Sequence, residues 1–266
     1  MARDRVIEFA VFCDHISRQA SQPFEGTMSY DQGSRWSTRS TAVPQVDIDV
    51  GLRQYMLRVY SYMAGGLALT GIVAYLASAT GIYQSLAQTP LIWLIVLAPL
   101  GLVMFLSFRI GSMSLTTAQT TFWIYAALVG LSLGFLFIVY TGTSIALTFF
   151  VCAAMFAAMS LWGYTTKRDL TGMGSFLFMG LIGIIIASVV NIFLRSPGLQ
   201  FAVSIIGVIV FTGLTAWDTQ RIKEMYWAGD SAVIAGKKAV MGALRLYLDF
   251  LNLFLMMLQF MGVRRN

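Results

Sequence analysis

Between Tyr60 and Gly163 the chain carries one charged residue, Arg109, and between Leu170 and Trp217 it carries one more, Arg195. Stretches this long with so little charge are not compatible with a water-facing surface, so their distribution constrains the fold before any motif is considered. Of the 266 residues, 58% are hydrophobic and only 11% are charged, well short of the quarter-charged balance of a soluble domain. The expected fold class is therefore an all-α polytopic membrane protein, with the lipid bilayer as its first partner. The formal charge of +6 would suggest nucleic acid in a soluble protein, but here the basic residues sit between apolar runs, where they orient helices in a membrane. Nucleic acid is set aside as a partner.

Six apolar runs of 17 to 23 residues are each long enough to cross a hydrocarbon core: Met56 to Ser78, Leu91 to Phe108, Thr120 to Tyr140, Ile145 to Trp162, Ser175 to Phe193 and Phe201 to Trp217. A seventh run, Gly242 to Val263, is interrupted by Asp249, Asn252 and Gln259, so it is either a crossing shielded by the other six or a re-entrant segment. Residues 1–52 are polar and rich in Ser, Thr and Arg, which reads as a disordered tail ahead of a transmembrane domain over 53–266. Its short apolar stretch, Ile7 to Phe12, is broken by Glu8 and does not read as a signal peptide. Trp93, Trp123, Trp162 and Trp217 fall at run ends, where an indole favours the headgroup layer. Gly130 with Gly134, and Ala153 with Ala157, have the four-residue spacing that permits close helix approach.

Residue counts exclude several chemistries. With two cysteines, Cys13 and Cys152, there is no disulfide framework and no thiolate metal cage. The sole histidine, His15, lies outside every apolar run, which removes a bilayer haem, an HExxH zinc site and an intramembrane serine protease. No catalytic residue and no cofactor is assigned, and the chain is not read as an enzyme.

Buried carboxylates carry the functional reading. An ionised acid at the middle of a spanning helix costs roughly 2.5–3.5 kcal/mol on insertion scales, so one that persists there usually serves a pathway, a pair or a proton relay. Asp218 closes the sixth run in FTGLTAWDTQRIK, and Asp249 lies inside the last run in LRLYLDFLNLF. A connection of about 20 residues lets those helices run antiparallel with both carboxyls at similar depth. Within about 4 Å of each other, two such groups hold one proton between them and act as a pH switch. Loss of that proton recruits a cation, and oxygen ligands favour Ca²⁺. The competing structural reading pairs each acid locally, Asp218 with Arg221 and Asp249 with Arg245.

Arg245, Asp249, Asn252, Met256 and Gln259 recur at steps of four, three, four and three, so they share one helix face. A polar face on a spanning helix belongs inside the protein or along a water-filled path, which makes Arg245, Asn252 and Gln259 candidate pore-lining residues. Arg109 is either a snorkelling anchor or a latch that neutralises Asp218 in a closed state. Asn191 is expected to hydrogen-bond between helices.

The segments TKRDLTGMGSF (Thr166 to Phe176), VNIFL (Val190 to Leu194) and LYLDFLNLF (Leu246 to Phe254), with the acids at 218 and 249, resemble the Bax-inhibitor family of membrane proteins in its bacterial form. The resemblance covers about residues 52 to 265. It implies six helices around a central seventh and a pH-responsive calcium leak governed by an aspartate pair, here Asp218 and Asp249. It also implies an arginine on the second helix that ties down the sixth-helix aspartate, with Arg109 near that place, and it implies a bacterial inner-membrane location. An acid found on the second helix of some relatives has no counterpart in Leu91 to Phe108.

Three other readings compete with a cation leak. An intramembrane aspartyl protease lacks its expected GxGD, because Asp249 sits in LYLD. A proton-coupled small-solute transporter would use the same acids as a relay. A non-conducting regulator of membrane quality control needs neither.

With the N-terminus inside, the inner side holds Arg109, Lys167, Arg168, Arg221, Lys223, Lys237, Lys238 and Arg245, and the outer loops hold Arg195 alone. The C-terminal pair Arg264 and Arg265 runs against this bias if the last run crosses. Reporter fusions after Ser78 and Gly142 are expected to read as external and one after Lys167 as internal; the reverse pattern would overturn the loop assignment.

Overall fold

A computed structural model describes residues 45–265, and its long elements are all α-helices. In chain order they are α1 (Gln45–Ala79), α2 (Ile82–Ala87), α3 (Leu91–Arg109), α4 (Leu115–Leu133), α5 (Leu136–Val139), α6 (Gly142–Thr165), α7 (Thr171–Leu194), α8 (Pro197–Glu224) and α9 (Ala232–Met261). Seven spans are long and apolar enough to cross a membrane: α1 from Val50, α3, α4 continued through α5, α6, α7, α8 and α9. The segment 45–52, assigned above to the tail, is helical and begins α1, while residues 1–44, which hold the rest of that tail, lie outside the described residues.

Local chemistry sets the helix starts. Ser114, Thr141, Ser196 and Ser231 each precede a long helix, and each side-chain oxygen accepts from a backbone N–H three residues on, with Pro197 adding its fixed φ at the start of α8. At the start of α7, Asp169 accepts from the N–H of Thr171 at 2.8 Å, and the Thr171 hydroxyl together with this N–H holds its carboxyl below the usual range.

α9 is one unbroken helix of 30 residues, about 45 Å long at the standard rise, so the last segment crosses and is not a re-entrant hairpin. It is also the axis of the bundle. In its most apolar window 67% of residues are buried, against 11% in α3 and in α7. The helix packs against α1, α4, α6 and α8, whereas α3 packs on α4 and α7 packs on α8 as outer layers. Burying α9 shields its polar face from lipid, and its other faces supply the core residues Leu244, Leu246, Tyr247, Phe250 and Leu253.

Lipid tails are as apolar as leucine, so contact between these helices depends on close packing and on hydrogen bonds rather than on a water-driven hydrophobic effect. Both are present. At Gly130 an added Cβ would lie 2.6 Å from the Thr70 carbonyl oxygen, so α1 and α4 touch backbone to backbone. The hydroxyls of Tyr60, Ser160 and Thr219 form a chain across α1, α6 and α8 at 2.6 and 2.9 Å. Thr70 donates to the Ala126 carbonyl at 2.9 Å, and its hydroxyl lies 2.6 Å from that of Tyr247, which joins α1, α4 and α9. Trp123 and Trp217, expected as interfacial anchors, lie over Gly65 and Gly174 of neighbouring helices.

The chain end explains the misplaced basic pair. The Val263 N–H donates to Ser144 Oγ at 2.9 Å, the Thr141 N–H to the Val263 carbonyl at 3.1 Å, and the Arg265 N–H to the Val139 carbonyl at 2.9 Å. The Arg265 guanidinium donates to the Phe137 carbonyl at 3.2 Å, so it meets the negative end of α5. These bonds staple the end of α9 to the α5–α6 turn, at the end of the bundle opposite Lys167 and Arg168, hereafter the far end.

The tightest helix contact gives a stability test. A Cβ on Gly163 of α6 would collide with the Ala216 carbonyl of α8, which is backbone and cannot swing away, whereas one on Gly183 would meet open space. Gly163→Ala is expected to destabilise the folded protein by about 1–3 kcal/mol and Gly183→Ala to leave it unchanged, read as melting temperature in detergent.

Candidate functional site

α8 and α9 share the most extensive helix contact among the described residues, running antiparallel through a connection that spans 225–231. Their register brings the two acids together: the carboxyl groups of Asp218 and Asp249 face each other closely enough to interact, and both residues are buried. An ionised carboxylate only accepts, so a hydrogen bond between two carboxyls requires one proton between them. Asp249 Oδ2 is buried with no hydrogen-bond partner, an orphaned acceptor at the middle of the membrane span.

Arg245 occupies the position that decides the charge of this pair. One turn before Asp249 on α9, it reaches across to α8 and places Nη1 3.6 Å from Asp218 Oδ1. The pairing is therefore between helices and not the local Arg245–Asp249 bridge that the spacing suggested. Arg221, the other expected local partner, lies over the Trp217 ring at 5.1 Å and still contributes positive charge near Asp218. On the same side of the site, the buried Tyr55 hydroxyl has no hydrogen-bond partner.

Arg109 does not reach the pair. It ends α3, an outer-layer helix packed on α4, and its side chain is exposed. The cation beside Asp218 is Arg245 instead, because α3 packs on α4 and not on α8. Its geometry is that of a helix-end anchor.

The remaining stripe residues extend toward the far end. Asn252 turns back to donate to the Leu248 carbonyl at 2.9 Å and is half-buried. Gln259 joins a network across three helices: Asn191 donates to Gln200 Oε1 at 3.1 Å, and Gln259 Oε1 accepts from Gln200 Nε2 at 2.8 Å and from Ser204 Oγ at 3.3 Å. The expectation that Asn191 bonds between helices is met.

At the opposite end, Gln220 escaped the sequence reading. Its amide donates to the Arg168 carbonyl at 2.8 Å and accepts from the Leu170 N–H at 2.9 Å, which fixes the α6–α7 turn to α8 two residues beyond Asp218. The phrase TKRDL was visible in sequence, but its partner lies about 50 residues away and carries no local signal.

Two carboxylates fall short of the six to eight oxygens of a resident calcium site, and among the described residues no three His, Cys, Asp or Glu side chains converge on a metal position. Such a pair suits brief coordination of a passing cation better than permanent binding.

An all-helical integral membrane protein with a carboxyl pair beside its central helix is the class that fold and site define. The sequence pattern of the family described as inhibitor of apoptosis-promoting Bax1 matches residues 52–266. The chain belongs to this Bax-inhibitor family. It is 51% identical to the inner membrane protein YbhL of Escherichia coli over 219 residues, which is 81% of this chain and 94% of that one. A protein of Rickettsia prowazekii is 52% identical over 230 residues, 86% of this chain and 98% of the relative. A membrane protein of Streptococcus pyogenes is 36% identical over 217 residues, 80% and 94% of the two chains.

The Arg245 contact is open to a double-mutant cycle. Arg245→Ala and Asp218→Asn should couple by more than about 0.5 kcal/mol in thermal stability, while Arg109→Ala and Asp218→Asn should be additive. Additivity in the first pair would remove Arg245 as the counter-ion.

Proposed function

We propose that the protein is a pH-sensitive cation leak channel, with calcium as the conducted ion, gated by the Asp218–Asp249 pair, and that it sits in a bacterial inner membrane with its N-terminus in the cytoplasm. The observation that carries this reading is the pairing of two buried carboxyls, with Arg245 beside Asp218 and an orphaned Asp249 oxygen on the central helix. Family membership and the inner-membrane name of the Escherichia coli relative support the setting. The excess of basic residues at the Lys167 end supports the orientation.

Charge accounting gives the direction of gating. With one proton held between the acids, the site carries one negative charge, and Arg245 neutralises it. This is the closed state. When the proton leaves, the site gains a second negative charge, at Asp249, that Arg245 alone does not balance and that the more distant Arg221 offsets only in part, in surroundings where screening by water is weak. A cation entering the path restores neutrality, and repulsion between the carboxylates loosens the α8–α9 contact. Protons and calcium ions thus compete for one place, and neither reaction chemistry nor a cofactor is involved.

Calcium flux into proteoliposomes is expected to rise with pH, with a midpoint between about pH 6 and 8. Asp218→Asn or Asp249→Asn should flatten the profile. A parent midpoint below about pH 5, unmoved by either change, would defeat the shared-proton model. Peptide cleavage or solute uptake in the same vesicles, without calcium flux, would favour the protease or transporter readings.

A further inference from the structure

A cavity of about 140 Å³ lies at the far end between α7, α8 and α9, lined by Ser188, Asn191, Gln200, Val203, Met256 and Gln259. Four of these six side chains are neutral and polar, which is unusual for a space between spanning helices and is roomy enough for several waters. The amides of Asn191, Gln200 and Gln259 are tied into one network, so the polar wall is preformed. Its base is apolar. Met256 lines the cavity and also seats on α8 at Gly207, where an added Cβ would lie 2.8 Å from Met256 Cγ and 2.9 Å from Sδ.

Helical periodicity places this contact directly in line with the acids. Met256 is seven residues beyond Asp249 on one face of α9, about 10 Å along the axis, with Asn252 between them. Gly207 is eleven residues before Asp218, three turns away on the same face of α8. The glycine permits the thioether to bridge the two helices, and flexible methionine fills such a gap well.

We infer that this cavity is a water-filled outer vestibule that admits hydrated cations, and that Met256, seated on Gly207, is the apolar plug separating it from the aspartate pair. The inference rests on the cation-leak reading for what passes, but the existence of vestibule and plug does not depend on flux. Neutral amide oxygens and N–H groups exchange contacts with a cation's hydration shell without trapping it, whereas a dry thioether contact offers no replacement for that shell.

Thiol labelling tests the inference in the full chain, in nanodiscs where both faces meet solvent. Cys13→Ser removes the thiol of the N-terminal segment, and Cys152 is fully buried. A charged, water-soluble methanethiosulfonate is expected to label Gln259→Cys readily and Asn252→Cys slowly. Adding Met256→Ala should speed labelling of Asn252→Cys by about tenfold or more, while Met256→Leu, which keeps the apolar bulk, should not. If Met256→Ala does not fold, Gly207→Ala unseats the same side chain and should have the same effect.

An unreactive Gln259→Cys would overturn the vestibule, and an Asn252→Cys that labels equally fast with Met256 intact would overturn the plug. Calcium flux measured on the same variants separates the two readings. Labelling as expected with no flux in any variant leaves vestibule and plug standing and defeats the leak; flux in the parent with an unreactive Gln259→Cys does the reverse.

Discussion

Two carboxyl groups touching inside a membrane protein impose a demand that the rest of the bundle must meet. Both residues are buried among apolar helices, so ionised carboxyls there need a proton or a counter-ion and a place that no lipid tail reaches. Arg245 supplies the charge from the adjacent helix. The α8–α9 contact supplies the register, and α1, α4 and α6 supply the enclosure around α9. Removing one partner of such a group is costly because the remaining charge stays buried, which makes the three side chains a unit rather than separate contributors.

The packing around that unit fits a helix pair able to adjust. Glycines at 130 and 163 lock α1 to α4 and α6 to α8 by backbone contact, and hydroxyl chains tie α1 to α6, α8 and α9. The α8–α9 contact is of another kind above the acids. There it runs through Met256 on Gly207, a flexible side chain on a bare backbone, and through an amide network at the far end. Rigid glycine seams flank a softer central one, so loosening at the acids has a direction of least resistance along α9.

How much of this was readable in the sequence follows from the range over which each feature acts. Helix positions depend on composition over about 20 residues, so Leu91 to Phe108 became Leu91–Arg109 and Ser175 to Phe193 became Thr171–Leu194. The central place of α9 followed from a polar stripe that lipid would not tolerate. The partners of charged groups were not readable, because periodicity gives a face and not the helix that covers it. Arg245 satisfied a local rule with Asp249 and was drawn to Asp218 instead, and Arg109 belongs to an outer helix. Gln220 and the Val263–Ser144 bond pair residues 50 and 119 positions apart, with no motif at either end.

The two ends of α9 are held by different means, and this bears on how the central helix moves. At the basic end Lys237 donates to the Gly111 carbonyl at 3.1 Å and Lys238 pairs with Asp230 at 2.6 Å, contacts that are exposed or partly so and hence weak against water. At the far end several backbone bonds through Val263 and Arg265 fasten the chain to the α5–α6 turn, with Gly262 leaving room for the Tyr140 ring. A helix fastened at one end and lightly held at the other tilts about the fastened end. Asp249 and Arg245, near the middle of the helix, move further in such a tilt than Gln259, which stays close to the pivot. On the gating proposed above, the polar network at Gln259 can persist while the carboxyl pair opens, so that the conformational change falls where the charge changes.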